Sequence, residues 1–292
     1  MPPRLISIVV TTYNRPEALR AVLASLAAQT DSAFEVLVAD DGSRQETAAA
    51  VAEVAAAVNF PVPLVHLWQS DDGFRAAAAR NLAVAASRGD YLVFVDGDCV
   101  LRPDFVARHR ALAEPAWFVA GNRVLLSESF TKKVLQTPMI ELHGDSRLSW
   151  LGRRFSGAIN RWLPLCFVPG NGWRKRQSQR WQGARTCNLA LWRSDFDTVN
   201  GFDEAFQGWG HEDADLAIRL LHAGVQRKDG RFATAVLHLW HHENDRSNLA
   251  ENERRLAEIL AADRRRAAVG IDTYNPERVS AAAIQKLGKI SG

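Results

Sequence analysis

Two carboxylates stand one residue apart in the sequence Asp96-Gly97-Asp98. Ionised carboxylates are oxygen ligands that suit Mg²⁺ and Mn²⁺, and the glycine between them lets the chain turn tightly. A divalent ion held here could in turn hold the phosphates of a nucleotide. Asp-x-Asp pairs are also common in solvated loops. The secondary structure around this pair therefore has to distinguish a metal site from an ordinary turn.

The pair follows a short apolar segment, 91–95, which has the composition of a buried parallel strand. Before it, the sequence predicts strands and helices in alternation: strands at 5–11, 34–39 and 62–68, and helices at 16–29, 46–58 and 76–87. This order is typical of a doubly wound parallel sheet with right-handed crossovers. Such sheets bind ligands at their carboxyl edge, where Asp96 and Asp98 are expected to lie.

The composition excludes some classes of protein. With 292 residues, 47% of them hydrophobic and 24% charged, the chain can bury the core of one large globular domain. The formal net charge of +3 is too small to imply a nucleic-acid partner. The three cysteines lack metal-ligand spacing and cannot all pair, which favours a reducing compartment. Since no secretory signal or membrane-spanning stretch is recognisable, we expect a cytoplasmic protein.

Five motifs occur in order along the chain. The first four resemble the nucleotide-binding half of a GT-A glycosyltransferase of the family-2 type: Ile8-Val-Val-Thr-Thr-Tyr-Asn-Arg-Pro16, Val36-Leu-Val-Ala-Asp-Asp-Gly-Ser43, Asp72-Gly-Phe-Arg-Ala-Ala-Ala-Ala-Arg-Asn81 and Asp96-Gly-Asp98. The fifth, Trp209-Gly-His-Glu-Asp213 followed by Leu216-Ala-Ile-Arg219, is similar to the acceptor-side motif of galactosyltransferase-like and chondroitin-polymerase-like enzymes. His211 stands where such relatives usually have glycine, so the motif does not identify the donor sugar or the acceptor.

The resemblance implies an α/β fold of the GT-A type, with a mostly parallel, doubly wound sheet. We expect a nucleotide-sugar-binding half at 1–120, an acceptor-binding and catalytic half at 121–245, and a helical C-terminal tail at 246–292. The second half contains a basic, tryptophan-rich insert at 146–181.

The resemblance also implies a nucleotide site, with Thr11, Tyr13, Asp40, Asp41, Arg75, Asn81 and Asp96 as its members. In the family, one acid of the pair Asp40–Asp41 accepts the N3–H of uracil, and the structural alternative is a turn that caps the next helix. Arg75 would grip the diphosphate, since a guanidinium binds phosphate oxygens in bidentate fashion. We expect Arg80, more than Arg75, merely to pair with a surface acid. Asn81 would cap or hydrogen-bond the metal loop, and Asp96 would contact the ribose or the metal.

For the metal, the resemblance implies that Asp98 binds Mn²⁺ or Mg²⁺ directly and that a downstream histidine adds a ligand. The segment His238-Leu-Trp-His241-His242 follows a predicted strand at 232–237, and imidazole suits Mn²⁺. We choose His238, with His241 as the alternative. The bound cation would bridge the diphosphate and offset charge on the leaving nucleotide.

The acceptor motif would supply the catalytic base. The resemblance assigns Asp213 to deprotonate the acceptor hydroxyl in an inverting transfer, and Trp209 and Glu212 to hold the acceptor or donor sugar. The spacing of the motif predicts a helix that begins there. A helix N-terminus lowers the pKa of a carboxylate, so we expect the basicity of Asp213 to depend on geometry. The alternative is that both acids merely stabilise the helix N-terminus.

The insert at 146–181 has eight basic residues, no acidic residue and four tryptophans. It is interpreted either as a lid whose tryptophans pack on the core or as a surface for an anionic or amphiphilic partner, such as lipid headgroups. Arginine and aromatic residues also alternate in nucleic-acid binders, but no such module is recognisable. A further amphipathic helix, with a solvated basic face, is predicted at 251–268.

The leading hypothesis is an inverting, metal-dependent glycosyltransferase that moves a hexose from a nucleotide sugar to a hydroxyl of a glycan. A UDP-linked donor is favoured. The basic insert favours a lipid-linked acceptor, such as a surface polysaccharide or lipopolysaccharide core, with peripheral contact at the inner face of the membrane. The alternatives are a catalytically degenerate GT-A scaffold and a nucleotidyltransferase, which would share the sheet without needing Glu212 and Asp213. An NAD-binding function is disfavoured because no G-x-G-x-x-G follows the first strand.

Overall fold

The structure, a computed structural model, describes residues 1–57, 60–136, 146–208, 210–242 and 248–274. Trp209 and positions 275–292 of the predicted tail lie outside the described residues. The first hundred residues form the predicted alternation: β1 (Ile6–Thr12), α1 (Pro16–Ala27), β2 (Phe34–Asp40), α2 (Gln45–Ala57), β3 (Leu64–Trp68), α3 (Ala76–Ala86) and β4 (Tyr91–Asp96). Pro16 stands at the start of α1, where its missing N–H costs no hydrogen bond.

The later elements are shorter and less regular. They are β5 (Cys99–Val100), α4 (Phe105–Leu112), β6 (Trp117–Ala120), β7 (Arg123–Leu125), α5 (Glu128–Gln136), α6 (Arg147–Phe155), β8 (Leu189–Trp192), α7 (Arg193–Thr198), α8 (Glu212–His222), β9 (Gln226–Asp229), β10 (Val236–His238) and α9 (Leu249–Ala261).

Two predicted elements differ from the structure. The strand predicted at 232–237 is reduced to β10, because Phe232 has a φ of 60° and so cannot continue an extended strand. The helix predicted at 251–268 ends at Ala261. Beyond it the chain bonds back to the domain, with the amide of Ala267 donating to the carbonyl of Val199 at 3.0 Å.

Among the described residues, the large sheet has the strand order β3-β2-β1-β4-β8-β6-β9. β1 runs parallel to β2 and β4, and β8 is antiparallel to β4 and β6. The register places Thr11 beside Asp96 and Thr12 beside Asp40. The ends of β1, β2 and β4 therefore meet at one edge of the sheet, as the sequence predicts.

A smaller sheet, ordered β5-β10-β7, adjoins this edge. Its register sets His238 opposite Cys99, next to Asp98. A histidine 140 positions downstream is thereby brought to the metal loop by backbone pairing alone.

The apolar core lies on both faces of the large sheet. On one face the ring of Phe94, in β4, packs edge-on against that of Phe202 with centroids 5.1 Å apart. Phe94 also contacts Phe196, at 5.7 Å between centroids. Both partners belong to the predicted acceptor half, so the two predicted halves share one core.

The tryptophans of the insert pack inward. Trp150 is buried in the core, and Trp162 and Trp181 are partly buried against it. This agrees with the lid interpretation for these side chains. Within the described part of the chain, no helix has the length and apolar character needed to cross a membrane.

Candidate functional site

The Asp96-Gly-Asp98 turn closes directly on the end of β1. The amide of Gly97 donates to the carbonyl of Thr11 at 2.7 Å. A Cβ on Gly97 would approach Thr12 Oγ1 to 3.0 Å, so a side chain at this position would crowd the neighbouring strand. The tight turn leaves Asp98 buried and Asp96 partly exposed.

Asp98, His238 and His241 form a cluster whose potential ligand atoms lie within 4.8 Å of one another. His238 Nε2 is 3.6 Å from Asp98 Oδ1, and His241 Nε2 is 3.4 Å from Asp98 Oδ2. Burial lowers the pKa of His238, which favours the neutral imidazole that binds metals. One carboxylate and two imidazoles form a donor set that fits Mn²⁺, and the carboxylate also suits Mg²⁺. Both histidines weighed in the sequence therefore lie at Asp98.

A second grouping joins Asp96, Asp98 and Cys99. Burial raises the pKa of the Cys99 thiol well above its ordinary value, so it stays protonated and is a poor ligand. Asp98 also accepts a hydrogen bond from Arg15 Nη1 at 2.6 Å. Arg15 has no role predicted from the sequence, because its ion pair joins residues 83 positions apart.

Asp40 and Asp41 have different partners. Asp40 Oδ1 accepts the amide of Ser43 at 2.8 Å, and its Oδ2 lies 2.8 Å from His66 Nε2. Asp41 accepts from Gln69 Nε2 at 2.6 Å and from the amide of Arg75 at 2.7 Å. Asp40 thus makes the predicted turn, while Asp41 faces the start of α3, and burial raises its pKa.

Three other predicted nucleotide-site residues lie around this edge with distinct contacts. Tyr13 is exposed and its hydroxyl donates to Asp71 at 3.1 Å. Arg75 Nη2 donates to the carbonyl of Ser70 at 2.7 Å. Asn81 faces elsewhere: its amide group donates to the carbonyl of Phe202 at 2.9 Å and accepts the Phe202 N–H at 2.9 Å. The expectation that Asn81 bonds to the metal loop is not met, because these contacts engage its amide in the acceptor half.

Arg80 lies at the centre of the site. Its Nε donates to Thr11 Oγ1 at 3.0 Å, and its Nη1 donates to Glu212 Oε1 at 3.1 Å. Its Nη2 is 3.6 Å from Asp96 Oδ1, and only 4% of its side chain is exposed. The expectation of a surface ion pair was wrong. The sequence feature that could have predicted its burial is the run of alanines around it. Because an alanine-rich helix packs closely on a sheet, an arginine on the inner face of that helix is buried.

Glu212 and Asp213 open α8, as predicted. His211, just before the helix, has a φ of 72°, and three acids follow in the first turn. Although Asp213 is only half-buried, burial, followed by the charge of Glu212, raises its pKa to about 7. The expected lowering is wrong because loss of water and a like-charged neighbour outweigh the helix dipole.

α8 is anchored by a buried ion pair one turn below the acids. Arg219 donates to Asp215 at 2.5 Å, and neither side chain is exposed. The guanidinium of Arg264, which lies beyond α9, is 3.4 Å from the carboxylate of Asp215 and 2.6 Å from that of Asp203. These contacts hold the start of α8 against the core.

Two family models match the chain. The model for glycosyl transferase family 2 matches residues 7–195, which include β1 to β4 and the Asp96-Gly-Asp98 turn. The chain belongs to this family. The model for the N-terminal domain of galactosyltransferase matches residues 174–242, which include α8 and β10. The resemblance that the motifs indicated is confirmed in both halves.

Curated relatives agree with this assignment. Validoxylamine A glucosyltransferase from Streptomyces hygroscopicus subsp. jinggangensis is 32% identical over 227 residues, which cover 76% of this chain and 52% of the relative. An uncharacterized glycosyltransferase, YfnE of Bacillus subtilis, is 36% identical over 82% of this chain and 66% of its own. Chondroitin synthase from Escherichia coli is 26% identical over 75% of this chain and 32% of its own. The chain spans about half the length of the glucosyltransferase relatives.

Solved structures share the fold. The mannosyltransferase PcManGT from Pyrobaculum calidifontis, in complex with GDP-mannose and Mn²⁺, has a TM-score of 0.57 at 18% identity, covering 100% of this chain and 76% of its own. GalNAc-T7, with UDP, GalNAc and Mn²⁺, has a TM-score of 0.60 at 15% identity, covering 88% of this chain and 48% of its own. The predicted GT-A fold is confirmed.

Proposed function

We propose that this chain is an inverting, metal-dependent glycosyltransferase that transfers a hexose from a nucleotide sugar to a hydroxyl of a glycan. The observation that carries the proposal is the pairing of Arg80 with Asp96 and with Glu212. Through this one side chain, the acids of the donor half and those of the acceptor half join a single cluster. A transfer site needs both sets within reach of one bond.

Asp98, His238 and His241 would hold the metal ion. When bound, Mn²⁺ or Mg²⁺ would supply positive charge against the diphosphate of the donor and the leaving nucleotide. Two solved neighbours, one in complex with GDP-mannose and Mn²⁺ and the other with UDP, GalNAc and Mn²⁺, support a nucleotide-sugar donor.

The donor would lie along the carboxyl edge of the sheet. We assign Asp41 to bind the nucleobase of the donor, since Asp40 is engaged with Ser43 and His66. A carboxylate oxygen has two lone pairs, so Asp41 can accept a base N–H beside its present partners. Thr11 and Tyr13 would line the base pocket, Arg75 would contact the diphosphate, and Asp96 would contact the ribose. Asn81 would support the site indirectly through its hydrogen bonds to Phe202.

Asp213 would act as the base. The acceptor oxygen forms a bond to the anomeric carbon as the bond from that carbon to the diphosphate oxygen breaks. The hydroxyl proton passes to the Asp213 carboxylate, and the nucleoside diphosphate leaves with the electron pair. A pKa raised to about 7 makes this carboxylate a stronger base than an ordinary aspartate while it still ionises near neutrality. Glu212 and Trp209 would hold the acceptor or donor sugar.

The acceptor is proposed to be a glycan carried on lipid, such as a surface polysaccharide or lipopolysaccharide core precursor. The basic insert supports this proposal, because the sequence from 146 to 181 contains no acidic residue.

The test is release of nucleoside diphosphate from a panel of UDP-, GDP- and dTDP-sugars, with Mn²⁺ or with EDTA. Activity with one donor should depend on the metal, and it should be lost in Asp98→Ala. Asp213→Asn should lower the rate by roughly 10²–10⁴-fold, the typical contribution of a positioned base, while UDP–Mn²⁺ binding measured by calorimetry is kept. Asp263→Asn, an exposed aspartate outside the cluster, is the matched control.

The outcomes separate the alternatives. Binding of UDP–Mn²⁺ without turnover by any donor would indicate a missing acceptor, and glycan extracts would then be supplied. Absence of nucleotide binding would favour the degenerate scaffold. Release of pyrophosphate from a nucleoside triphosphate and a sugar phosphate would instead identify a nucleotidyltransferase.

A further inference from the structure

Helix α6 presents two different faces. On the inner face Trp150 is buried, and the guanidinium of Arg153 lies over its ring at 4.5 Å and over Phe130 at 5.0 Å. The N-cap Ser146 accepts the amide of Ser149. The helix is therefore anchored to the domain, so the direction of its outer face is set by packing.

The outer face is apolar. Leu148 is 78% exposed and Phe155 is 82% exposed, and Leu151 lies between them at helical spacing. Leu163, in the turn that follows, is 57% exposed. Large apolar side chains grouped on one surface mark a contact with a partner or a membrane.

Exposed basic residues adjoin these apolar side chains along the chain: Arg154 lies in α6, and Arg161 stands two positions before Leu163. Among the described residues of the insert, Arg154, Arg161, Arg176 and Arg180 are exposed. No acidic residue occurs between positions 146 and 181 to offset them. A partner that accepts this surface must tolerate both inserted apolar side chains and an excess of positive charge.

We propose that the outer face of α6, together with Leu163 and the exposed arginines around it, docks on an anionic lipid surface. An interfacial helix places Leu and Phe below the headgroups while its arginines pair with lipid phosphates. Charge complementarity selects an anionic membrane over a neutral one. Leu148, Phe155 and Leu163 are more than half exposed and are not among the residues that line the cavity beside Trp150, which favours a membrane over a partner that fills a groove.

The segment that follows α6 pairs with the backbone beside the candidate metal site. Just after α6, the amide of Asn160 donates to the carbonyl of Leu125 at 3.0 Å, and that of Ser127 donates to Ala158 at 2.9 Å. In the adjoining strand, the amide of Leu126 donates to the carbonyl of His238 at 3.0 Å. These bonds connect the chain after α6 to the strand that carries His238, so α6 belongs to the same part of the fold as the metal cluster. The membrane proposal itself does not depend on the transfer reaction.

The experiment is flotation of the full chain with vesicles of phosphatidylcholine, alone or mixed with phosphatidylglycerol, without donor or metal. Binding should require the anionic lipid and should weaken as salt is raised. Leu148→Ser combined with Phe155→Ser should lower the partition coefficient at least tenfold, since burial of either side chain in an apolar phase is worth about that factor or more. Leu260→Ser is the matched control, because Leu260 is 49% exposed on α9.

Arg154→Gln combined with Arg161→Gln should reduce binding to anionic vesicles and flatten its salt dependence. Thermal unfolding of each variant checks that the fold is kept. Equal binding to neutral and anionic vesicles, or an unchanged partition coefficient in the double serine variant, would overturn the proposal. A specific complex with another protein through these residues, with no vesicle binding, would do the same.

Discussion

The two halves of the domain hold their functional residues by different means. In the proposed donor half, Thr11, Asp40 and Asp96 lie at or next to the ends of β1, β2 and β4, and β1 pairs with both of the others, so the backbone register sets their spacing. In the proposed acceptor half, His238 ends a strand of three residues and Asp213 lies in the first turn of a helix. Side chains that cross between the halves, such as Arg80 and Phe94, hold that second group in place. The donor site is thus specified by the sheet, and the acceptor side by a few long-range contacts.

The largest effect of a single substitution is expected in the core that the two halves share. Phe94→Ala should lower the free energy of unfolding by roughly 3–5 kcal/mol, because the side chain is fully buried against Phe196 and Phe202. The transfer rate should also fall at temperatures where the variant is folded, since the acceptor half loses its support. Phe34→Ala, buried in β2, is the control. It should cost a similar amount of stability and leave kcat unchanged; equal loss of kcat in both variants would contradict the distinction.

The ion pair between the halves provides a sharper test. Arg80→Gln leaves Asp96 and Glu212 without their buried cation and should cost roughly 3–5 kcal/mol in urea unfolding. Adding Glu212→Gln removes one stranded charge and should restore part of that loss. A double variant with a strictly additive loss would mean that the two side chains are not coupled.

The acceptor half should also govern the pH dependence of the reaction. In the proposed mechanism Asp213 has to be ionised to accept a proton, and its pKa is raised to about 7. The rate should therefore fall about tenfold per pH unit as the pH is lowered below that value. Glu212→Gln removes a like charge and should lower the pKa of Asp213. In a pH–rate profile, the fall in rate on the acid side should therefore move to lower pH. A fall that stays at the same pH would assign the titration to another group.

The smallest effect is expected within the donor half. Arg20 and Glu53 join α1 to α2 at 2.7 Å, and both are exposed, so solvent screens the pair. Arg20→Ala should change the free energy of unfolding by about 0–1 kcal/mol and leave kcat unchanged. A larger loss would show that the donor half also relies on side-chain ion pairs.

The sequence predicted the strands and helices of the first hundred residues well because their signals are local. The apolar run at 91–95, Pro16 at the start of α1 and the acids that end β2 and β4 lie within the elements they define. Long-range contacts have no such signal. Arg80 and Glu212 are 132 positions apart, and Asn81 bonds to Phe202 across 121 positions. The pKa of Asp213 was likewise misjudged, because a helix N-terminus is visible in a sequence whereas the surrounding burial is not.

The segment after α9 has a consequence for where this domain can be cut or fused to another protein. The amide of Glu204 donates to the carbonyl of Val269 at 3.0 Å, and a Cβ on Gly270 would lie 1.9 Å from the carbonyl oxygen of Asn200.

Tyr274, at the end of this segment, packs on the core beside α3, the helix that carries Arg80. The family matches stop at residue 242, yet a chain shortened to that point would lose the cation that Arg264 brings to Asp203 and Asp215. The boundary of the cooperative unit therefore lies at or beyond residue 274, some thirty residues past the boundary that homology would give.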